Sequence, residues 1–498
     1  MRSRWLIAPA IIAALFTLQS LRQVGSGPWG IDGSYYMQVA RHVAEGDGLL
    51  SSVCLYDQGM RALPGRTNIY PLWPLLLGFS ARLMPLPAAA TFLPRLFFVA
   101  DLVLLYVLTN RIAGRNGYYG YAAILLLGLN PIFFSWTCYP YTEGLALFCT
   151  FGALIVLDLA RKSGAPVYYA VCGVIAGLAF LTRSQMLMLG IAVGLVLIAA
   201  AVKRNVSWIA VAAFCAGYAI AVLPWIVYLT TFIRPFTLSV LVSMHSETPG
   251  LPAFDQAMAT AGGLAHVLDR LSGVLVMFDP FSGLSFVSSF GLAALLVPIA
   301  AIYAAWRRQW VGGFLAAATG VAGLVMCAVL LQSHNRYFLE WLFGYRHGLP
   351  FILLLIVAMI QMTGRYARWV AIVFISLSFM TNVPHVVAFA KEPAPEWPSV
   401  AEKQLAAWLE HNDPRAIVLT TNAQFLSVVS RANFRWATCE QSPQDIARVL
   451  SLVRTDYVVV YESEQACPFA KGLGGALTTV ATFGQAPNRI VLRKVRRW

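Results

Sequence analysis

Eleven runs of apolar residues, 16 to 23 long, leave this chain very few folds. They lie near 5–24, 92–111, 118–136, 143–160, 167–182, 185–202, 207–229, 286–306, 311–331, 349–364 and 369–388. An α-helix rises 1.5 Å per residue, so about 20 apolar residues cross the hydrocarbon of a bilayer. Charge is sparse: 12% of the chain is Asp, Glu, Lys or Arg, and 59% is hydrophobic. Soluble domains carry roughly 25% charged residues. The pattern predicts a polytopic α-helical membrane protein with about eleven transmembrane helices.

Basic residues set the orientation. Arg2/Arg4, Arg111/Arg115, Arg161/Lys162, Lys203/Arg204, Arg307/Arg308 and Arg365/Arg368 stand at alternate ends of the runs, and these six segments hold twelve basic residues and no acidic ones. Positive charge is retained on the cytoplasmic side. The N-terminus is therefore expected inside the cytoplasmic (inner) membrane and the C-terminus outside it. The same residues account for 12 of the net charge of +14, which argues against a nucleic-acid surface. The flank Gln19-Ser20-Leu21-Arg22-Gln23 lacks a small-x-small cleavage site, so the first run reads as a retained anchor rather than a cleaved signal.

Cysteine usage fits this placement. Cys149, Cys172, Cys215 and Cys327 fall within runs and read as small apolar packing residues. Cys439 with Cys467, and Cys54 with Cys138, are external pairs that an oxidising compartment would allow to bridge, with free thiols as the alternative.

A membrane unit over 1–389 is followed by a soluble unit over 390–498. Within the first, two external segments are long. Residues 25–91 contain a helical pattern at 34–46, with Tyr36, Val39, Ala40 and Val43 on one face, and an apolar stretch at 72–84. That stretch is too short to span and reads as interfacial. Spanning there would also invert every later basic pair. Residues 230–285, with Pro235, Pro249, Pro252 and Pro280, read as a long loop of the kind that often serves as a lid. In 390–498, helical patterns at 399–411 and 443–453 alternate with strand-like runs Ala416–Thr420, Asp456–Tyr461 and Arg489–Lys494. This is a small extracytoplasmic α/β domain. It has no glycine-rich phosphate loop and no metal-ligand spacing.

Four external features carry chemistry. Asp32, in Trp29-Gly30-Ile31-Asp32-Gly33-Ser34-Tyr35-Tyr36, is either an N-cap for a helix starting near Ser34 or a reactive acid at the membrane surface. Glu143, in Tyr141-Thr142-Glu143, is either a first-turn helix acid or a second site carboxylate. Arg183, in the tight turn Leu181-Thr182-Arg183-Ser184-Gln185, runs against the charge bias. It either snorkels to the interface or grips an anionic head group through bidentate hydrogen bonds. The segment from His334 and Arg336 to Arg346, His347 and Pro350 is open to phosphate binding and to interfacial anchoring alike.

Together these residues make a set that sugar transfer from a lipid phosphate would need. A carboxylate takes the acceptor proton as the acceptor oxygen attacks the anomeric carbon. Cations stabilise charge on the departing phosphate. Displacement in one step inverts the centre and needs a single base.

The motifs resemble those of the GT-C superfamily of integral-membrane glycosyltransferases, in particular the dolichyl-phosphate-mannose–protein mannosyltransferases and the bacterial aminoarabinose transferases. Asp32-Gly33-Ser34-Tyr35-Tyr36 followed by Glu45-Gly46-Asp47-Gly48 is similar to the family's first-loop acid and interfacial helix. Asn68-Ile69-Tyr70-Pro71-Leu72-Trp73-Pro74-Leu75 is similar to the start of its second interfacial helix, with one proline missing. Tyr141-Thr142-Glu143, Leu181-Thr182-Arg183 and Arg346 to Pro350 are similar to the second-loop acid, the segment after span five, and the start of a late span. Asp456–Val460 is similar to a strand of the terminal domain in bacterial members.

The resemblance implies a GT-C fold and inverting transfer of a hexosyl or pentosyl group from a polyprenyl-phosphate donor. The acceptor would be a glycan, lipid or protein, met at the outer face. Asp32 would be the general base and Glu143 the second acid. Arg183, Arg336, Arg346 and His347 would meet the donor, with Tyr35, Tyr36, Tyr70 and Tyr141 as further substrate-binding residues. Asp32 lacks a neighbouring second acid, which argues against a catalytic metal. If a divalent cation binds, Asp47 or Asp57 would join Asp32 there. The competing class is a lipid or small-molecule transporter or flippase, for which Asp101 and Asp158 are the acids within spans. A scaffold would leave the external arginines unexplained.

Overall fold

The computed structural model describes residues 6–22, 30–54, 63–114, 117–233, 289–307, 313–328, 348–362, 367–393, 398–437, 454–464, 477–486 and 488–495, with positions 444, 447 and 450. The chain divides into two compact units. One comprises Met1–Gln23, Phe92–Tyr228 and Asp255–Pro393; the other comprises Val24–Thr91, Leu229–Phe254 and Ala394–Trp498.

Each apolar run of the sequence contains described helix. In chain order the first ten helices are α1 (Ile7–Leu21), α2 (Gly30–Glu45), α3 (Leu72–Ser80), α4 (Leu86–Ala113), α5 (Gly117–Gly128), α6 (Pro131–Trp136), α7 (Glu143–Ser163), α8 (Pro166–Phe180), α9 (Leu187–Val202) and α10 (Trp208–Phe232). Among the described residues further along lie α11 (Leu296–Arg307), α12 (Phe314–Ala328), α13 (Ile352–Gln361) and α14 (Ala367–Lys391). Five helices are long and apolar enough to cross a bilayer by length and composition: Leu86–Ala113, Glu143–Ser163, Ser184–Val202, Trp208–Phe232 and Arg368–Lys391. Ile220, Leu223 and Val227 on α10 and Met380 on α14 face outward at more than half exposure. Apolar faces of that extent are not left in water; lipid covers them.

The helix boundaries follow from local sequence. Asn130 caps α6 by accepting from Phe133 N at 2.9 Å, and Pro131 occupies the first helical position. The sequence run 118–136 is thereby split into α5 and α6. At the end of α7, Asp158 takes both Lys162 and Arg111 at 2.7 Å. Two cations account for this intramembrane acid.

The tightest packing lies between α8 and α10. A Cβ on Gly173 would stand 2.1 Å from Phe214 O, and one on Gly217 would stand 2.0 Å from Ala170 O. Small residues let helix backbones approach this closely, and close packing drives helix association in lipid. Overpacking a core costs about 1–3 kcal/mol, and more against rigid backbone. Gly173→Leu is therefore expected to lower the detergent melting temperature by several degrees or prevent folding, and Gly173→Ala to do so less. An unchanged melt in both would show that the helices can separate freely here.

The second unit is built on a six-stranded sheet. Its strands are β2 (Val53–Cys54), β4 (Ile417–Thr420), β5 (Asn433–Trp436), β6 (Tyr457–Tyr461), β7 (Leu477–Phe483) and β8 (Ile490–Val495), while β1 (Leu50–Ser51) pairs with β3 (Gly65–Arg66) in a separate ribbon. The order is β2-β5-β4-β6-β8-β7. β2, β5, β4 and β6 are mutually parallel; β8 pairs antiparallel with β6, and β7 antiparallel with β8. The sheet core is Val418, Phe434, Val459, Ile490 and Leu492, with Leu405 and Leu409 of α15 (Val400–Asn412) and Leu426 of α16 (Ala423–Val429).

The strand-like runs at 416–420, 456–461 and 489–494 correspond to β4, β6 and β8, and the helix at 399–411 to α15. The pattern at 443–453 lies mostly outside the described residues. β5, β7 and α16 have no counterpart in the sequence reading. Nor does β2, which comes from the first long loop: Val53 pairs with Phe434, and Phe434 N donates to Ser52 O at 2.8 Å.

Candidate functional site

In the helical unit the site is centred on the start of α7. Glu143 occupies its first turn, and its carboxylate is ion-paired through Oε1 with Arg183 Nη1. Arg183 lies in extended conformation between α8 and a short 3-10 turn at Ser184–Met186. The side chains are only 1% and 10% exposed. A pair this buried is held by its own geometry, because each charge alone would lose its hydration without return. The two residues that the sequence marked 40 positions apart thus meet directly.

The loop before Glu143 is aromatic. Trp136 and Tyr141 rings lie 4.4 Å apart, and Tyr139 is 6.0 Å from Tyr141. Gln19 of α1 donates to Phe134 O and Thr137 Oγ1, at 3.2 and 2.8 Å. Arg22, at the end of α1, pairs with Glu392 at 3.1 Å, donates to Tyr139 Oη at 3.3 Å and stacks 4.6 Å from the Phe389 ring. Asp101 of α4 is fully buried beside Gly144, and neither carboxylate oxygen has a hydrogen-bond partner among the described residues.

Cys138 is a buried free thiol in this loop, and burial pushes it up to about 12. Of the two alternatives for Cys138, a bridge to Cys54 or a free thiol, the structure has the free thiol, which packs inward against Phe134 O at 3.4 Å. Cys439 and Cys467 lie outside the described residues.

In the sheet-bearing unit, Asp32 lies half-buried in the first turn of α2. The helix begins at Gly30, four residues before the expected start near Ser34, so Asp32 is not its N-cap. Tyr35 Oη meets Thr67 Oγ1 at 3.0 Å, and its ring packs on the sheet core. Tyr36 and Tyr70 are buried, as is Trp73 of α3. Gln38 donates to Ser51 Oγ at 2.8 Å and accepts from Ser52 N at 2.9 Å. At the far end of α2, Gly46 has φ +94°, which glycine alone adopts at little cost. Asp47 N then returns to His42 O at 2.9 Å and Gly46 N to Val43 O at 3.2 Å, closing a Schellman cap.

That cap places Asp47 Oδ2 3.0 Å from His42 Nδ1. With Glu45, these residues offer ligand atoms within 4.8 Å of one another. The groups are already answered, however. His42 Nε2 meets Ser52 Oγ at 2.7 Å, and Glu45 pairs with Arg431 at 3.0 Å. Ion pairing and hydrogen bonding satisfy this cluster, and no reaction step is assigned to a metal. The expectation that Asp47 joins Asp32 at one cation is corrected. His42 follows Asp32 by ten residues of rigid helix, about 15 Å along the axis. Two ligands of one cation lie within about 5 Å of each other. Asp57, Arg336, Arg346 and His347 lie outside the described residues.

Sequence reasoning missed Trp136, Tyr139, Thr67 and the Arg22–Glu392 clamp. Only Arg22 carried a signal, as a cation at the end of the first apolar run opposite Arg2/Arg4, where the charge bias does not lead one to expect it.

Residues 70–230 match the family model described as dolichyl-phosphate-mannose-protein mannosyltransferase. No curated protein matches the chain by sequence. Three solved structures share its fold. The oligosaccharyltransferase of Archaeoglobus fulgidus is 14% identical, with TM-score 0.61 over 96% of this chain and 72% of that one. ArnT from Cupriavidus metallidurans, bound to undecaprenyl phosphate, is 13% identical, with TM-score 0.58 over 99% and 98%. The arabinofuranosyltransferase AftD from Mycobacteria is 15% identical, with TM-score 0.54 over 99% and 40%. The chain is thus a multi-helix membrane protein that shares the fold of these structures over nearly its whole length, and its residues 70–230 resemble the mannosyltransferase family.

Proposed function

We propose that the protein transfers a sugar, with inversion, from a polyprenyl-phosphate donor to an acceptor at the outer face of the cytoplasmic membrane. The observation that carries this reading is the near end-to-end likeness to an ArnT solved with undecaprenyl phosphate. Asp32 is the general base. Its carboxylate takes the acceptor's hydroxyl or amine proton while the acceptor lone pair attacks the anomeric carbon. The carbon–phosphate oxygen bond breaks, and the electron pair leaves with the polyprenyl phosphate. Half-burial on a helix that ends in a firm cap suits a base that must meet both solvent and substrate.

Glu143 holds Arg183, and the guanidinium stabilises the leaving phosphate's charge. A fixed cation serves better than a mobile one, because no reorganisation is needed as charge develops. Tyr141, packed on Trp136 at 4.4 Å, is the aromatic residue assigned to the sugar or isoprenoid.

Eleven spans, a cytoplasmic N-terminus and an extracytoplasmic sheet domain belong to the same proposal, supported by the six basic segments. A transporter reading draws on one observation, the buried Asp101, since an intramembrane acid without a partner often marks a translocation path.

The test is a panel of polyprenyl-phosphate monosaccharides offered to purified protein with glycan, lipid and peptide acceptors. Release of polyprenyl phosphate is expected with at least one donor. Donor lipid that binds yet stays intact with every acceptor, but crosses the bilayer of proteoliposomes, would replace the enzyme with the transporter.

A further inference from the structure

The sheet domain shares one core with α2. β2 extends the C-terminal sheet by pairing with β5, Tyr35 packs on the sheet core, and α2 lies against α16. The opposite side of α2 rests on α3, where a Cβ on Gly78 would fall 2.6 Å from Val43 Cβ. A helix gripped on both sides cannot slide, and its rotation is limited by whatever polar contact fixes it at the rim.

Two such contacts reach the turn after α16. Glu45 Oε1 takes Arg431 Nη2 at 3.0 Å, but these side chains are 36% and 69% exposed. Exposed pairs of this kind contribute little. Arg41 Nη1 donates to Ser430 O at 3.1 Å, and this contact is partly buried. A charged donor on a carbonyl shielded from water is the stronger tether. It joins sequence positions 389 residues apart. Arg41 and Asp32 stand on the same unbroken helix, nine residues and about 13 Å apart along the axis.

We propose that Arg41 is a positioning residue, through which the C-terminal sheet domain holds α2 in the orientation that Asp32 needs. The sheet domain is then a working part of the reaction centre rather than an appendage. This inference rests on the reading of Asp32 as the base. A misplacement of about 1 Å in a reacting group can cost on the order of 10²-fold in rate. Helix rotation about its axis would produce such a shift without unfolding anything.

The experiment is a cycle of Arg41→Ala, Arg41→Lys, Asp32→Asn and the Asp32→Asn/Arg41→Ala double variant in the full-length protein. kcat, donor KM and melting temperature are measured for each. Arg41→Ala is expected to lower kcat roughly 10–100-fold, with donor KM changed by less than about threefold. Arg41→Lys, which keeps a charged donor, is expected to recover part of the loss. In the Asp32→Asn background, Arg41→Ala is expected to change the residual rate by less than about threefold, because residues acting as a unit are not additive.

A rate loss that multiplies in the double variant, or that follows the fall in melting temperature, would overturn the proposal and leave Arg41 a structural contact. Full activity of Arg41→Ala would overturn it directly. Full activity of Asp32→Asn would instead remove the base reading, and the cycle reads that arm separately.

Discussion

Asp32→Asn is expected to reduce sugar transfer about 10²–10⁴-fold, the usual contribution of a general base, while the protein stays folded. The amide keeps the size of the carboxylate but cannot take a proton. The structural cost is small, because an acid in a first helical turn contributes only about 0.3–1 kcal/mol, and Asp32 is half-buried in the first turn of α2. The melting temperature should therefore shift by no more than a few degrees. Transfer rate with saturating donor, read beside a thermal melt, separates the two effects. Native activity in Asp32→Asn would assign proton transfer to another group.

Breaking the Glu143–Arg183 pair is expected to act mainly on stability. From sequence, Arg183→Ala should weaken use of the lipid donor more than it disturbs the fold. The buried ion pair reverses that order. Removing one member of a buried pair leaves an uncompensated charge and costs about 3–5 kcal/mol. Glu143→Leu and Arg183→Met should each destabilise the protein by that amount, read as lower melting temperature or yield of monodisperse protein. The double variant should regain most of it, since apolar replacements of similar volume are often neutral or better. It should remain inactive if the guanidinium meets the leaving phosphate. An active double variant would reduce the pair to a structural tie between the starts of α7 and α9.

The legibility of the two halves differs for a physical reason. Transmembrane helices announce themselves because lipid obliges each segment to satisfy its own backbone hydrogen bonds. Length and apolar content then suffice, and each of the eleven runs contains described helix, with 118–136 broken into α5 and α6. Two shorter helical patterns were legible as well: 34–46 falls on α2, and 72–84 contains the nine-residue α3. A sheet gives no such local signal. β5 has the sequence Asn433-Phe434-Arg435-Trp436, which does not alternate apolar with polar in a way that marks a strand, and β2 is two residues long. Both exist because a neighbour supplies their hydrogen bonds.

The site divides along the same line. Asp32, Glu143 and Arg183 stood out because charge beside an apolar run is costly and therefore conspicuous. That Glu143 and Arg183 pair could not be read, since their 40-residue separation is bridged by the packing of α7 on α8. Arg41 looked like an ordinary cation on the polar face of an amphipathic helix. Its partner, a backbone carbonyl of Ser430, has no sequence signature at all.

That this is a membrane protein, which apolar segments are helical, and which acids and cations stand at their ends can all be read from the residues, because those follow from the energetics of each segment against lipid and water. Long-range packing is what makes the first loop supply a strand to the C-terminal sheet and Glu143 hold Arg183. It also decided that Asp47 closes on His42 rather than joining Asp32. Each of these depends on contacts between distant segments, whose free energy exists only once the chain has packed.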